Sequence, residues 1–273
     1  MKVLLEKFKK LPIFGSRLPS ASSLLLIVWR QYVEHFGEYL RISLLSLLAL
    51  PFAMPGILIS VMGVSTTGSI VTEGGPDGWL PLLLATAGTA AAVFTAALVR
   101  PALIATIYMS LIGRKLKPHD ALRRSFDVFW KYVAVVVIIA MLSAAGFSLL
   151  FIPGVIVLIY FLLTEQSVVL EDEGIIPAFK RSFELVRGRF WAVLWRAFFV
   201  GGLFLLATFC LAIVTTQAPM AMLSGLATTP AASRWLVAPF LVVSALLSAM
   251  TLPLFSTLQT VLFAELRKLK KSR

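Results

Sequence analysis

Residues 132–170 read YVAVVVIIAMLSAAGFSLLFIPGVIVLIYFLLTEQSVVL, and Glu165 is the only acidic or basic side chain among them. A membrane-spanning helix needs about 20 apolar residues, so this stretch has nearly twice the length of one crossing. Its middle carries Ile152-Pro153-Gly154, where proline interrupts a helix and glycine favours a turn. The stretch therefore predicts two membrane-spanning helices joined by a tight hairpin.

The composition extends this interpretation to the whole chain of 273 residues, which is 59% apolar and 14% charged, with a net charge of +12. Soluble domains are about 45–50% apolar and about 25% charged. The charges lie between apolar runs, which favours the charge bias of membrane proteins over a nucleic-acid partner. A single cysteine, Cys210, excludes an internal disulfide. We predict one all-α integral membrane domain over 1–273.

Six apolar runs are long enough to cross a membrane. They are 40–64, 81–112, 132–151, 154–170, 190–215 and 236–264. The second and sixth exceed one straight crossing and contain Pro101 and Pro253, so we expect kinked or tilted helices there. The six-helix bundle at 40–264 follows a basic amphipathic segment at 1–38 and precedes a basic tail at 265–273.

Lysine and arginine are concentrated on one predicted side of the membrane. They cluster in the segments 1–38, 113–131, 171–189 and 267–273. The loop 65–80, in contrast, carries only Glu73 and Asp77. Because cytoplasmic loops are enriched in basic residues, both termini are expected in the cytoplasm, and the chain in a bacterial inner membrane.

A short motif recurs along the chain. ALRRSFD at 121–127 and AFKRSFE at 178–184 are identical or conservative at every position, and a weaker copy begins at Trp29. Each copy has apolar residues spaced i, i+4, i+7, typical of one helix face, and a base four residues before an acid. The pattern predicts three units, each an amphipathic cytoplasmic helix followed by a membrane hairpin.

The basic residues of these helices are the first candidate site. An apolar face would lie on the lipid boundary while a basic face meets headgroups. The candidate headgroup contacts are Arg30, Arg123, Arg124, Lys180 and Arg181. Membrane lipids with anionic headgroups are therefore the expected partner. Docking of a protein partner is an alternative, and helices that act only as anchors would show the same pattern.

The runs FIPGVI at 151–156, VVLED at 168–172 and AFKRSFELVRGRFW at 178–191 resemble two related groups. One is the YciC-like group of uncharacterised bacterial inner-membrane proteins. The other is the membrane domain found beside some glycerophosphodiester phosphodiesterases. The resemblance covers about 22–270 and implies six helices in the inner membrane, with no agreed activity. Catalysis in the phosphodiesterase fusions belongs to a separate soluble barrel, so no catalytic residue carries over to this sequence.

Motifs for chemistry are missing from the sequence. His35 and His119 lack a Glu-x-x-His partner, and there is neither a phosphate-binding Gly-x-x-x-x-Gly-Lys-[Ser/Thr] loop nor a Gly-x-Ser-x-Gly elbow. We therefore expect no enzymatic activity, no cofactor and no metal. The acidic run Glu171–Glu173 is interpreted as a solvated cluster rather than a cation site, because calcium needs more oxygens in a defined loop.

Arg100 and Glu165 form the second candidate, an intramembrane polar site, because charges are costly within the bilayer. Counted from Trp79 at about 1.5 Å per residue, Arg100 reaches the inner interface and could extend into it. If 101–112 also lies in the membrane, Arg100 is deep. Pairing with Glu165 would neutralise both charges, although the sequence does not place spans two and four side by side.

Three function classes follow. The sequence favours a non-enzymatic inner-membrane protein that organises lipid or docks a partner. The alternative is a transporter or flippase-like carrier of a lipid or small amphiphile, indicated by Arg100, Glu165 and the kinked helices. A membrane enzyme is disfavoured by the missing motifs.

Overall fold

The computed structural model describes residues 19–49, 79–204, 206, 209–210, 213 and 230–271. All regular structure in these residues is helical. The basic segment before Pro19, most of the first predicted span and the acidic loop with Glu73 and Asp77 lie outside the described residues.

Nine α-helices are described, numbered in chain order. They are α1 (Ala21–Glu34), α2 (Phe36–Ser43), α3 (Trp79–Leu111), α4 (Pro118–Leu149), α5 (Phe151–Phe161), α6 (Thr164–Glu171), α7 (Ile175–Val186), α8 (Phe190–Arg196) and α9 (Pro230–Lys271). A 3₁₀ segment, Leu44–Ala49, follows α2, and a π-helical turn, Ala197–Gly201, follows α8.

Four helical stretches are long and apolar enough to cross a membrane. They are Thr86–Leu111, Pro118–Leu149, Phe151–Glu171 and Ala249–Lys270. They overlap four of the six predicted spans. The fifth predicted span begins in a shorter apolar helix, Phe190–Phe204.

The second motif copy is not a separate amphipathic helix. Residues 121–127 belong to α4, which continues without interruption into the third predicted span. Between Asp127 and Tyr132 there is neither glycine nor proline, so nothing ends the helix. After the third copy, α7 does end, and Gly188 adopts a φ of 82° that favours glycine at a helix terminus.

The hairpin predicted within residues 132–170 turns at Leu150, earlier than the Pro153-Gly154 pair that predicts it. Leu150 is extended, with φ −166° and ψ 154°, and Pro153 lies in the first turn of α5, where proline is tolerated. Glycines allow the two arms to pack closely. A Cβ on Gly146 would lie 2.8 Å from the Gly154 Cα.

The fourth predicted span is interrupted rather than continuous. Helix α5 ends at Phe161 and α6 begins at Thr164. The side chain of Ser182, in α7, fills the gap: its hydroxyl donates to the Tyr160 carbonyl at 2.7 Å and accepts from the Leu163 N–H at 3.3 Å. The break thus has backbone groups satisfied by another helix.

The small residues of the motif pack deepest into the bundle. Ala121 and Ser125 of α4 are fully buried, as are Ala178 and Ser182 of α7. Phe126, in contrast, is 59% exposed. Small side chains let helices approach closely. Phe183 is 37% exposed, whereas Phe179 is partly buried against the core.

Candidate functional site

A charged cavity of about 500 Å³ lies where one end of α3, α6 and α9 meets the start of α4 and α7. Four arginines and four acids line it. They are Arg123, Arg124, Arg181, Arg267, Asp120, Asp127, Glu171 and Glu173. Tyr108 and several apolar side chains complete the wall.

The structure brings together three of the five predicted headgroup contacts. Arg123 and Arg124 of α4 and Arg181 of α7 line this one cavity. The other two lie elsewhere: Arg30 pairs with Glu34 at 2.6 Å on α1, and Lys180 is exposed on α7 outside the cavity lining. The two motif copies therefore contribute to one site.

Arg267 also lines the cavity but is not a predicted site residue, because residues 265–273 are predicted to form a basic tail. Helix α9 instead continues to Lys271. No glycine or proline follows Pro253, and that signal predicts an uninterrupted helix. The continued helix carries Arg267 into the cavity wall.

Glu171 is the electrostatic centre of the cavity. Its carboxylate is 3.0 Å from Arg181 Nε and 3.0 Å from Arg267 Nε, and its side chain is only 9% exposed. Arg267 also donates to the Tyr108 hydroxyl at 3.2 Å. The prediction of a solvated acidic cluster is wrong for Glu171, because α9, which carries Arg267, packs over it. The sequence does not indicate that α9 lies beside this cluster. Its neighbour Asp172 is exposed and pairs with Lys131.

Arg124 supports the end of α6. Its Nε and Nη2 donate to the Val169 carbonyl at 3.1 and 2.8 Å. Carbonyls in the last turn of a helix lack an intrahelical partner, and a cation there also opposes the helix dipole. Arg124 and Arg181 are thus engaged with the protein itself. Arg123 is exposed and makes no ion pair within the described part of the chain.

The acids make the cavity charge-balanced rather than simply basic. Glu173 has one carboxylate oxygen shielded from solvent and without a hydrogen-bond partner among the described residues. Burial, and then the charge of Glu171, raise the pKa of Glu173 above its ordinary value. Asp127, one turn after Arg123 on α4, is exposed and forms no ion pair with it.

The second candidate, Arg100 with Glu165, is also brought together. Arg100 Nη2 lies 3.7 Å from Glu165 Oε2, and the Tyr132 hydroxyl donates to that same oxygen at 2.9 Å. The side chains of Arg100 and Glu165 are 28% and 13% exposed. This triad joins α3, α4 and α6. About 16 Å of helix separates Arg100 from Leu111, where α3 ends. Glu165 balances the charge of Arg100 within the bundle.

Further polar side chains are buried beside the break between α5 and α6. Thr164, Gln166 and Ser167 are fully buried. Gln166 donates to the side-chain oxygen of Gln259 in α9 at 3.2 Å. A buried polar row next to an interrupted helix is unusual in an apolar bundle, where polar groups are costly without partners.

The histidines and acids of the described ranges are dispersed over several helices and connections. No group of three or more His, Cys, Asp and Glu side chains there is arranged to hold an ion. His35 lies beside Gln31, and His119 beside Asp120 at 3.4 Å.

Helices of spanning length, apolar over their middles and charged at the ends that form the cavity, are typical of an α-helical membrane protein. The chain belongs to the family described as Domain of unknown function (DUF7847), whose model matches residues 37–266. No curated protein and no solved structure matches the chain.

Proposed function

We propose that this chain is a non-enzymatic, multi-pass protein of a bacterial inner membrane that organises lipid by holding a phosphate-bearing headgroup in the charged cavity. The proposal includes six spans in three units, each a copy of the motif followed by a membrane hairpin, and cytoplasmic termini. The basic residues flanking the cavity support a cytoplasmic position for it. The resemblance to YciC-like proteins and to phosphodiesterase-associated membrane domains agrees with this arrangement.

The observation that carries the proposal is the convergence of Arg123, Arg124, Arg181 and Arg267 on one cavity. Arginine binds phosphate through a planar fork of donors, and such charge-assisted bonds are the stronger ones. The volume of about 500 Å³ falls within the range of small-molecule sites, about 300–1,000 Å³. The lining also includes apolar side chains such as Met109 and Leu170, which suit the first carbons of a lipid.

Among the described residues, Arg123 is the cavity arginine with neither an ion pair nor a side-chain hydrogen bond, so Arg123→Gln is expected to weaken phospholipid retention about tenfold. A hydrogen bond to a charged group contributes about 1.5–3 kcal/mol, and about 1.4 kcal/mol is a tenfold change. The full chain would be placed in nanodiscs of equal phosphatidylethanolamine and phosphatidylglycerol, and retained phospholipid counted by native mass spectrometry.

Lys180→Gln is the matched control. It removes one positive charge from the equivalent position of the other motif copy, so any general effect on orientation or surface charge is shared. Lys180 does not line the cavity, and its replacement is expected to leave retention unchanged. Equal losses in the two variants would contradict a headgroup site at Arg123.

A carrier of a lipid or small amphiphile is the second candidate function. The triad of Arg100, Glu165 and Tyr132, beside the break between α5 and α6, favours it. Interrupted helices with buried polar groups are common at the substrate sites of transporters. If the protein is such a carrier, proteoliposomes that contain the parent protein should show movement of lipid between their leaflets. A protein that only organises lipid is expected to show no such movement.

A further inference from the structure

We infer that the cavity selects a zwitterionic headgroup with a primary ammonium beside its phosphate, as in phosphatidylethanolamine, over a headgroup that is only anionic. This inference rests on the proposed function and names the ligand class of the same site. It departs from the anionic preference that the basic motif alone predicts.

The first argument is the charge balance of the cavity. Four arginines face four acids, so the lining carries no formal net charge. Glu171 is already neutralised by Arg181 and Arg267. A purely anionic headgroup would gain the attraction of the arginines and suffer the repulsion of the remaining acids, whereas a zwitterion can place a charge of opposite sign against each.

The second argument is which charged groups remain without a partner. Arg123 is one such group, and Asp127, one helical turn away on α4, is another; no ion pair joins them within the described residues. Glu173 faces the same cavity from the connection between α6 and α7, with one oxygen shielded and unpartnered. Among the described residues, the cation Arg123 and the acids Asp127 and Glu173 are thus available to a ligand, while the remaining acid, Asp120, lies 3.4 Å from His119 Nδ1.

The chemistry of these groups assigns the two ends of the ligand. The guanidinium of Arg123 would bind the phosphate. A primary ammonium has three N–H donors, as a lysine has, and can bridge the carboxylates of Asp127 and Glu173. Its charge would also offset the repulsion from Glu171 that, after burial, raises the pKa of Glu173.

A quaternary ammonium serves as a chemical control. The headgroup of phosphatidylcholine has the same charges but no N–H, so it cannot donate a hydrogen bond to the carboxylates of Asp127 and Glu173. A carboxylate that is desolvated without a hydrogen bond is costly. The cavity is therefore expected to discriminate between primary and quaternary ammonium at equal charge.

The test is a titration of the purified full chain with short-chain phosphatidylethanolamine, phosphatidylglycerol and phosphatidylcholine, with binding followed by native mass spectrometry. The parent is expected to bind phosphatidylethanolamine about tenfold more tightly than either of the others. Glu173→Gln should abolish that preference, because it weakens phosphatidylethanolamine binding and removes a charge that repels phosphatidylglycerol. Asp127→Asn, on the exposed face of α4, is the second variant and should reduce the preference in the same direction.

Asp172→Asn is the control, because it removes a neighbouring negative charge that does not line the cavity; the preference should survive it. A parent that binds phosphatidylglycerol as well as or better than phosphatidylethanolamine would overturn the zwitterion inference and leave the headgroup site standing. Failure to bind any of the three lipids would overturn the proposed function as well.

Discussion

Replacing Arg100 with alanine is expected to destabilise the folded protein by about 3–5 kcal/mol, the usual cost of removing one partner of a buried ion pair. Glu165 would keep the bond from Tyr132 at 2.9 Å but lose the guanidinium at 3.7 Å. A largely buried carboxylate would then have no opposite charge. The free energy of unfolding would be measured in mixed micelles as denaturing detergent is increased.

Two comparisons separate the lost pairing from a general effect of the substitution. Arg114→Ala removes an exposed arginine beyond the end of α3 and is expected to cost less than about 0.5 kcal/mol. The double variant Arg100→Leu with Glu165→Leu removes both charges and should be markedly more stable than Arg100→Ala, since apolar replacements of a buried pair are often neutral. If the double variant were no more stable than Arg100→Ala, the interaction between Arg100 and Glu165 would not contribute to stability.

Glu171→Gln should have an effect of similar size, about 3–5 kcal/mol, because it removes the shared counter-charge of two mostly buried arginines. Arg181 and Arg267 both lie 3.0 Å from the Glu171 carboxylate. Without that charge they repel one another across the cavity, and the contact between α6, α7 and α9 weakens. The same unfolding measurement reports the loss.

Asp172→Asn is a close control for this prediction. It changes the same charge at the next residue, but the Asp172 side chain is 68% exposed and pairs with Lys131 at the surface. Exposed ion pairs contribute about 0–1 kcal/mol. If the two variants lost the same stability, the buried network around Glu171 would not be what holds these helices together.

These contacts also determine which arginines are suited to a lipid-binding experiment. Arg124 holds the Val169 carbonyl and Arg181 holds Glu171, so replacing either alters the fold along with the ligand site. Arg123 has neither contact. A loss of lipid in the Arg123→Gln variant is therefore attributable to the cavity.

The helical class and the hairpin could be predicted from sequence because both depend on local signals. Long apolar runs indicate spanning helices, and a Pro-Gly pair indicates a turn. The turn position differs because Pro153 is acceptable in the first turn of α5. The break at Leu162 and Leu163 has no such local signal. Ser182, about 20 residues further along the chain, stabilises it, and a contact of that kind is invisible in a hydropathy pattern.

The candidate sites likewise combine features that have a local sequence signal with features that depend on long-range contacts. Basic residues of the motif could be identified as a set, since they repeat with a helical period. The packing of the helices determines which of these residues share a cavity. Arg267 belongs to α9, far along the chain from the other cavity residues. The burial of Glu171 and the approach of Arg100 to Glu165 likewise require knowledge of which helices pack together.

Cysteine labelling from the two sides of the membrane tests most directly the claim that the charged cavity faces the cytoplasm. In a Cys210→Ser background, Lys117→Cys and Gly174→Cys would place single thiols at exposed residues next to the cavity-lining ends of α4 and α7. A membrane-impermeant maleimide should label them only after cells are permeabilised, whereas Ala232→Cys, at the opposite end of α9, should react in intact cells. Labelling of Lys117→Cys or Gly174→Cys from outside intact cells would contradict the account.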